Sequence, residues 1–235
     1  MANPGQPPDE RPALKGAVQR DLTTPRAAGV AGIIFAVLYV LAFLFLRQSV
    51  GRALDTETVL RNVTGSGSTL ALAGLYIVPF AGIAFLWFIA VVRDRIGERE
   101  DKFFATVFLG SGLLFVAMLF AAAAVLGGLI AGDRLGTATP ADAATVGFAR
   151  SVGYSLLFVY GAKMAGVFTL ATSSIIRRSG WPRWTSLIGF ATATVLILSI
   201  TFFEPIVLLF AVWVAVISAY VLVTGGKQAP GGTGM

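Results

Sequence analysis

The sequence contains no cysteine and no histidine. Without cysteine there is no disulfide scaffold and no thiolate chemistry. Without histidine the chain lacks the usual neutral-pH general base, the commonest zinc ligand and any Ser-His or Cys-His catalytic pair. Charge is scarce as well. Only 13% of the 235 residues are Asp, Glu, Lys or Arg, against about 25% in an ordinary soluble domain. Hydrophobic residues make up 56%, and the mean hydropathy is +0.81. A soluble domain of this size needs far more polar surface to cover its core, and a disordered chain needs far fewer apolar residues.

What the sequence does have is long apolar runs. A bilayer core about 30 Å thick takes a helix of about 20 mostly apolar residues. Such runs occupy Ala27 to Leu46, Leu70 to Val92, Phe103 to Ala131 and Ser151 to Ile176. A last run from Leu187 to Val223 is broken only by Glu204-Pro205. As one helix it would measure about 55 Å at 1.5 Å per residue. Pro205 lacks the amide a helix interior needs but suits a first helical position. The run therefore reads as a hairpin, span 5 near Ser186 to Phe203 and span 6 near Pro205 to Thr224. The runs do not alternate apolar with polar residues as barrel strands would. The expected fold is all-α, an integral membrane bundle of six transmembrane helices over 27–224. Residues 1–26, with five prolines, read as a disordered cytoplasmic tail, and 225–235 as a flexible Gly-rich one.

Orientation follows from Lys and Arg in short loops. One side holds Arg11, Lys15, Arg20, Arg26, Arg93, Arg95, Arg99, Lys102, Arg177, Arg178, Arg183 and Lys227; the other holds Arg47, Arg52, Arg61, Arg134 and Arg150. The twelve-to-five split puts both termini in the cytoplasm. The pI near 10.1 then calls for anionic lipid headgroups on the cytoplasmic side rather than nucleic acid, for which no folded basic scaffold is available. The first apolar run is too long for a signal-peptide core, and Phe45-Leu46-Arg47 follows where small residues would mark cleavage.

Lys163 is the one charge deep in a span. It lies 13 residues after Arg150 and 14 before Arg177, about 20 Å from each. A central Lys costs roughly 2.5–3.5 kcal/mol to insert, so it should face the bundle interior or a hydrated cavity. Tyr160 precedes it by three residues and Gly166 follows by three. The functional reading is an anion, proton or headgroup site formed by Lys163 and Tyr160. The structural reading is a hydrogen-bonded Lys that fixes helix packing, with Gly166 admitting a neighbouring helix. Glu204 falls at the outer interface, where it suits the N-cap of span 6, about half a membrane from Lys163.

Pro79 sits mid-span as a candidate kink or gating point. Trp181, Trp184 and Arg183 read as interface anchors. Small residues at four-residue spacing, Ala124/Gly128, Ala28/Gly32 and Ala162/Gly166, mark packing seams within the chain or between chains, hence a homo-oligomer or a membrane partner. Two outer loops, 47–69 and 132–150, read as connectors or as caps over an outward-facing cavity. The first carries a short helix near Asp55 to Asn62, and in the second Thr139-Pro140 starts a helix that runs into span 4.

Phosphate-loop, zincin and nucleophile-elbow patterns are absent. Gly110-Ser111-Gly112 has no histidine to activate its serine. No metal, cofactor or catalytic residue is expected.

From span 4 onward, Phe158-Val-Tyr-Gly-Ala-Lys-Met-Ala-Gly-Val-Phe168 and Ser173-Ser-Ile-Ile-Arg-Arg-Ser-Gly-Trp-Pro-Arg-Trp184 resemble a group of small uncharacterised multi-span membrane proteins from actinobacteria and related bacteria. The resemblance covers roughly residues 145–224. It implies a bacterial cytoplasmic membrane and the six-span layout, and carries no activity. The expected function is a non-enzymatic membrane module that associates with lipid or another membrane protein; the alternative is a small transporter or channel with its site at Lys163.

Overall fold

Twenty-six residues, Pro25–Val50, form the first helix, α1. Its Val30, Ile34, Val37, Leu41 and Leu44 are exposed, while Ala31, Phe35, Tyr39 and Ala42 are buried. Both faces are therefore apolar, and the spacing of three and four residues assigns one to the interior and one to the surroundings. That is the pattern of a helix with lipid on its outer side, since an amphipathic surface helix would carry charge there.

The computed structural model describes residues 25–51, 54–64, 68–96, 102–134, 142–178, 181–199 and 204–225. After α1 come α2 (Thr56–Thr64), α3 (Ser68–Ile96) and α4 (Lys102–Arg134). Then α5 (Ala143–Tyr154), a π-helical segment (Ser155–Gly161) and α6 (Ala162–Arg178) run as one continuous helix. The chain closes with α7 (Arg183–Leu198) and α8 (Ile206–Gly225). Among the described residues the protein is all helical, as expected from the apolar runs. The two tails, the acidic cluster at 98–101 and Thr139-Pro140 lie outside the described residues, apart from Pro25, Arg26 and Gly225 at helix ends.

Five helices are long and apolar enough to cross a membrane: α1, α3, α4, the continuous α5–α6 run of 36 residues, and α8. The apolar helix α7 has 16 residues, about 24 Å. It starts three residues before the expected span 5 and stops five before its expected end. Pro182 precedes its first turn, and Lys163 terminates its last, as described below.

Helix α1 packs between α3 and α8, α4 between α3 and α6, and α7 lies along α6 and touches α8. At the centre the rings of Phe35, Phe85, Phe115, Phe168 and Phe210 meet, all buried. Phe85 alone stands 4.7 Å from Phe35, 5.3 Å from Phe115, 5.1 Å from Phe168 and 5.5 Å from Phe210, centroid to centroid. These are the tilted and edge-on arrangements that aromatic quadrupoles favour.

Glycine sets several of the helix contacts. A Cβ on Gly32 would meet Ser218 Oγ and Phe88, and one on Gly29 would meet Leu222. The α1–α8 seam therefore closes inside the chain and places the start of α1 beside the end of α8. A Cβ on Gly166 would stand 2.7 Å from Ile197 Cγ1, so the absence of a side chain there lets α7 approach α6.

At the opposite end from Gly29, α2 and the start of α5 form a cap. Asp55 accepts from the Thr58 amide at 2.7 Å and the Thr58 hydroxyl at 2.9 Å, which starts α2. Asp142 accepts from the Thr145 amide at 2.7 Å and starts α5. Val50, Val59, Ala71, Leu126, Ile130 and Val146 pack into a second, smaller apolar cluster. Arg150 reaches across to donate to the carbonyls of Gly51 at 2.7 Å and Leu54 at 3.2 Å.

Candidate functional site

Lys163 lies in the first turn of α6, immediately after the π-helical segment. Its ammonium donates to the carbonyl of Leu196 at 3.4 Å and to that of Ser199. These belong to the last turn and the C-cap of α7. A helix ends with four carbonyls that have no intrahelical partner, and with partial negative charge. The Lys163 ammonium answers both. Gly166, one turn further along α6, is what brings α7 near enough for the contact.

Tyr160 does not share this position. Its ring is 58% exposed on the outer surface of the bundle. Among the described residues the ammonium's partners are the α7 carbonyls, so Lys163 and Tyr160 are not brought together. A π-helical segment carries more residues per turn than an α-helix, which shifts the side-chain phase between Tyr160 and Lys163 away from simple three-residue neighbourhood.

Pro79 stands inside α3 with its ring exposed. Trp181 and Trp184 both pack on Tyr220 near the end of α8, at 5.0 and 5.7 Å. Arg183 is exposed at the first position of α7. Nearby, the Arg178 guanidinium lies 5.0 Å over the ring of Phe104, a cation–π contact. Trp181, Trp184, Arg183 and Arg178 share the end of the bundle at which α1 begins and α8 finishes.

The other end holds an arrangement that sequence reasoning did not assemble. Glu204, buried just before α8, accepts from the Tyr154 hydroxyl at 2.7 Å across fifty residues of sequence. Its second oxygen meets Arg47 Nε at 3.0 Å. The carboxylate that the spacing marks as an N-cap thus ties α1, α5 and α8 together. A cavity of about 60 Å³ opens beside it, between α1, α3, α4 and the π-helical segment. Apart from these three residues and Tyr39 its walls are apolar, among them Ala42, Val78, Ala81, Leu119, Leu126 and Phe158. The available sequence signal was the shared depth of Arg47 and Glu204 at one interface. Nothing in the spacing singled out Tyr154.

All-helical among the described residues, with five helices long and apolar enough to cross a bilayer, the fold is that of a multi-pass membrane protein. The chain matches no family model, no curated protein and no solved structure.

Proposed function

We propose that the chain is a six-span protein of the bacterial cytoplasmic membrane with both termini inside, a non-enzymatic module that associates with lipid or with another membrane protein. The observation that carries this reading is the aromatic centre. Five phenylalanines and Trp213 in mutual contact fill the middle of the bundle, where a conducting path would need water. Close-packed rings leave no room for a hydrated file of that kind.

Further observations support the layout. Gly29 against Leu222 brings the start of α1 and the end of α8 to one end of the bundle, the one that also carries Arg177, Arg178 and Arg183. This basic end suits anionic headgroups on the cytoplasmic side. The resemblance to actinobacterial multi-span proteins favours the same location. A 16-residue α7 crosses as the sixth span with modest local thinning of the bilayer. For association, α4 presents Ala124 and Gly128 on its exposed surface, with open space at Gly128, whereas the Gly29/Gly32 and Gly166 seams are used inside the chain.

Because the chain has no cysteine, single-cysteine cross-linking tests this directly. In native membranes, Gly128→Cys should give a cross-linked species, to itself or to a partner, that Thr194→Cys on the exposed side of α7 does not. Equal, monomeric behaviour of both variants would overturn association through α4.

A second reading, a small transporter or channel with Lys163 at its site, is favoured by the π-helical segment directly before that residue, because such segments recur at functional positions. It requires that Lys163→Met abolish a liposome flux the parent protein supports, with expression unchanged.

A further inference from the structure

We propose that the cavity between α1, α3, α4 and the π-helical segment takes the head-proximal methylenes of one chain of an anionic amphiphile, the rest of the chain lying in the bilayer and the anionic head on Arg47. The proposal deepens the lipid-association reading above and rests on it. Two features of opposite character meet at this place. The wall is apolar from Ala42 and Ala81 to Leu119 and Phe158, and an empty apolar cavity forfeits dispersion contacts that an apolar guest restores. Water is a poor occupant there, since it needs two to four polar partners.

The mouth is the reverse. Arg47 closes α1 with its side chain 49% exposed, and among the described residues only its Nε is engaged, by Glu204. Tyr154 holds the other carboxylate oxygen at 2.7 Å, which fixes Glu204 on the Nε side. The guanidinium has five N–H donors in a planar fork, so its outer Nη groups remain to receive a phosphate or carboxylate bidentately. A molecule with an apolar chain and an anionic oxygen group satisfies wall and mouth together. A phospholipid and a free fatty acid share that chemistry.

In the six-span layout proposed above, the Arg47–Glu204–Tyr154 cluster, where α1 ends and α8 begins, falls at the outer interface, so a chain can enter from the bilayer while its head stays at headgroup depth. The cap formed by α2 and α5 lies over the same end, and Val50 and Leu126 belong both to its apolar cluster and to the cavity wall.

The test is native mass spectrometry of the full-length, delipidated protein with three added probes: phosphatidylglycerol, oleate and oleyl alcohol. The parent should retain one molecule of phosphatidylglycerol, of oleate, or of each, in preference to the uncharged alcohol. The probe retained identifies the source, phospholipid or fatty acid. Arg47→Gln should lower retention of the anionic probe about tenfold, to the level of the alcohol. Ala42→Leu and Leu119→Phe, which fill the cavity, should lower retention of all three. Arg47→Gln also removes the ion pair to buried Glu204, so oleyl alcohol is its control: retention of the alcohol at the parent's level shows that the cavity is intact in that variant, and the result then stands even where a filled variant fails to fold. No retention by the parent, an unchanged preference in Arg47→Gln, or full retention in a folded filled variant overturns the proposal. If retention fails while Gly128→Cys still cross-links, the cavity proposal falls and the association reading stands. If cross-linking fails while retention is seen, association through α4 falls and the cavity site stands.

Discussion

The Lys163 ammonium donates to the carbonyl of Ser199, the residue that caps α7. A charge that is costly at membrane depth is thus set against the partial negative end of a neighbouring helix. The same contact accounts for why α7 stops where it does. Lys163 answers the carbonyls of Leu196 and Ser199, and the Ser199 amide answers that of Val195, so part of the unpaired helix end is met from within the protein.

Replacing Lys163 with Met keeps the length of the side chain and removes that cap. Both folded and unfolded states in a membrane carry the residue at similar depth, so the insertion cost largely cancels and the lost hydrogen bonds remain. The expected destabilisation is about 1–2 kcal/mol. Thermal unfolding of Lys163→Met in detergent, beside the parent and Tyr160→Phe, measures it. Tyr160→Phe should be neutral, because the Tyr160 ring lies on the exposed surface. Equal losses in the two variants would show that the cap is not a source of stability.

Gly189 marks the tightest approach of α7 to its neighbours. A Cβ there would collide with Ser173 Oγ on α6 and stand 3.0 Å from both Ser173 Cβ and Trp213 Nε1. Overpacking of this kind costs about 1–3 kcal/mol. Gly189→Ala should therefore lower the unfolding midpoint, and the double variant Gly189→Ala/Ser173→Gly should recover much of the loss. Additive losses in the double variant would place the effect elsewhere than in this contact. Ser173 Oγ also donates to the Thr169 carbonyl at 2.7 Å, a local bond whose removal leaves the helix intact.

The helices of the cap should respond to acid through their N-terminal aspartates. The Thr58 amide and then the Thr58 hydroxyl hold the Asp55 carboxyl below the usual carboxylate range. For Asp142 the Thr145 side chain and then the Thr145 amide do the same. A carboxyl whose folded pKa lies below its unfolded value of about 4 contributes stability that is present above that value. The contribution is lost as pH falls through the folded pKa. Hydrogen exchange of α2 and of the start of α5 should therefore accelerate as pH is lowered from 5 to 3, after correction for intrinsic exchange. In Asp55→Asn and Asp142→Asn the acceleration should disappear while neutral-pH protection is kept, because Asn caps about as well as Asp. An identical acid response in parent and variants would mean that other carboxylates control it.

Much of the architecture was legible before any coordinates. Apolar runs longer than a bilayer crossing have one stable arrangement in lipid, the helix, because every backbone amide must be paired within its own segment. That argument reaches α1, α3, α4, the helix through Lys163, and α8. The short helix near Asp55 was also readable locally, and α2 begins at Thr56. Helix ends were less legible. The Glu204-Pro205 break places the end of span 5 at Phe203, whereas α7 ends at Leu198, where a lysine 35 residues earlier in the chain donates to its last turn and its cap.

The sequence by itself determined that this protein is a helical bundle made for lipid, and which of its residues are too costly to leave without partners there. Only the tertiary structure decided who those partners are. Lys163 went to the end of α7 rather than to Tyr160, and Glu204 went to Tyr154 and Arg47 rather than serving only its own helix. The reason is physical. Hydropathy and helical period act along one segment and can be summed from the sequence. A hydrogen bond across fifty residues depends on how helices rotate and slide against each other, and that is set by packing at places such as Gly32, Gly166 and Phe85, where a whole surface has to fit at once.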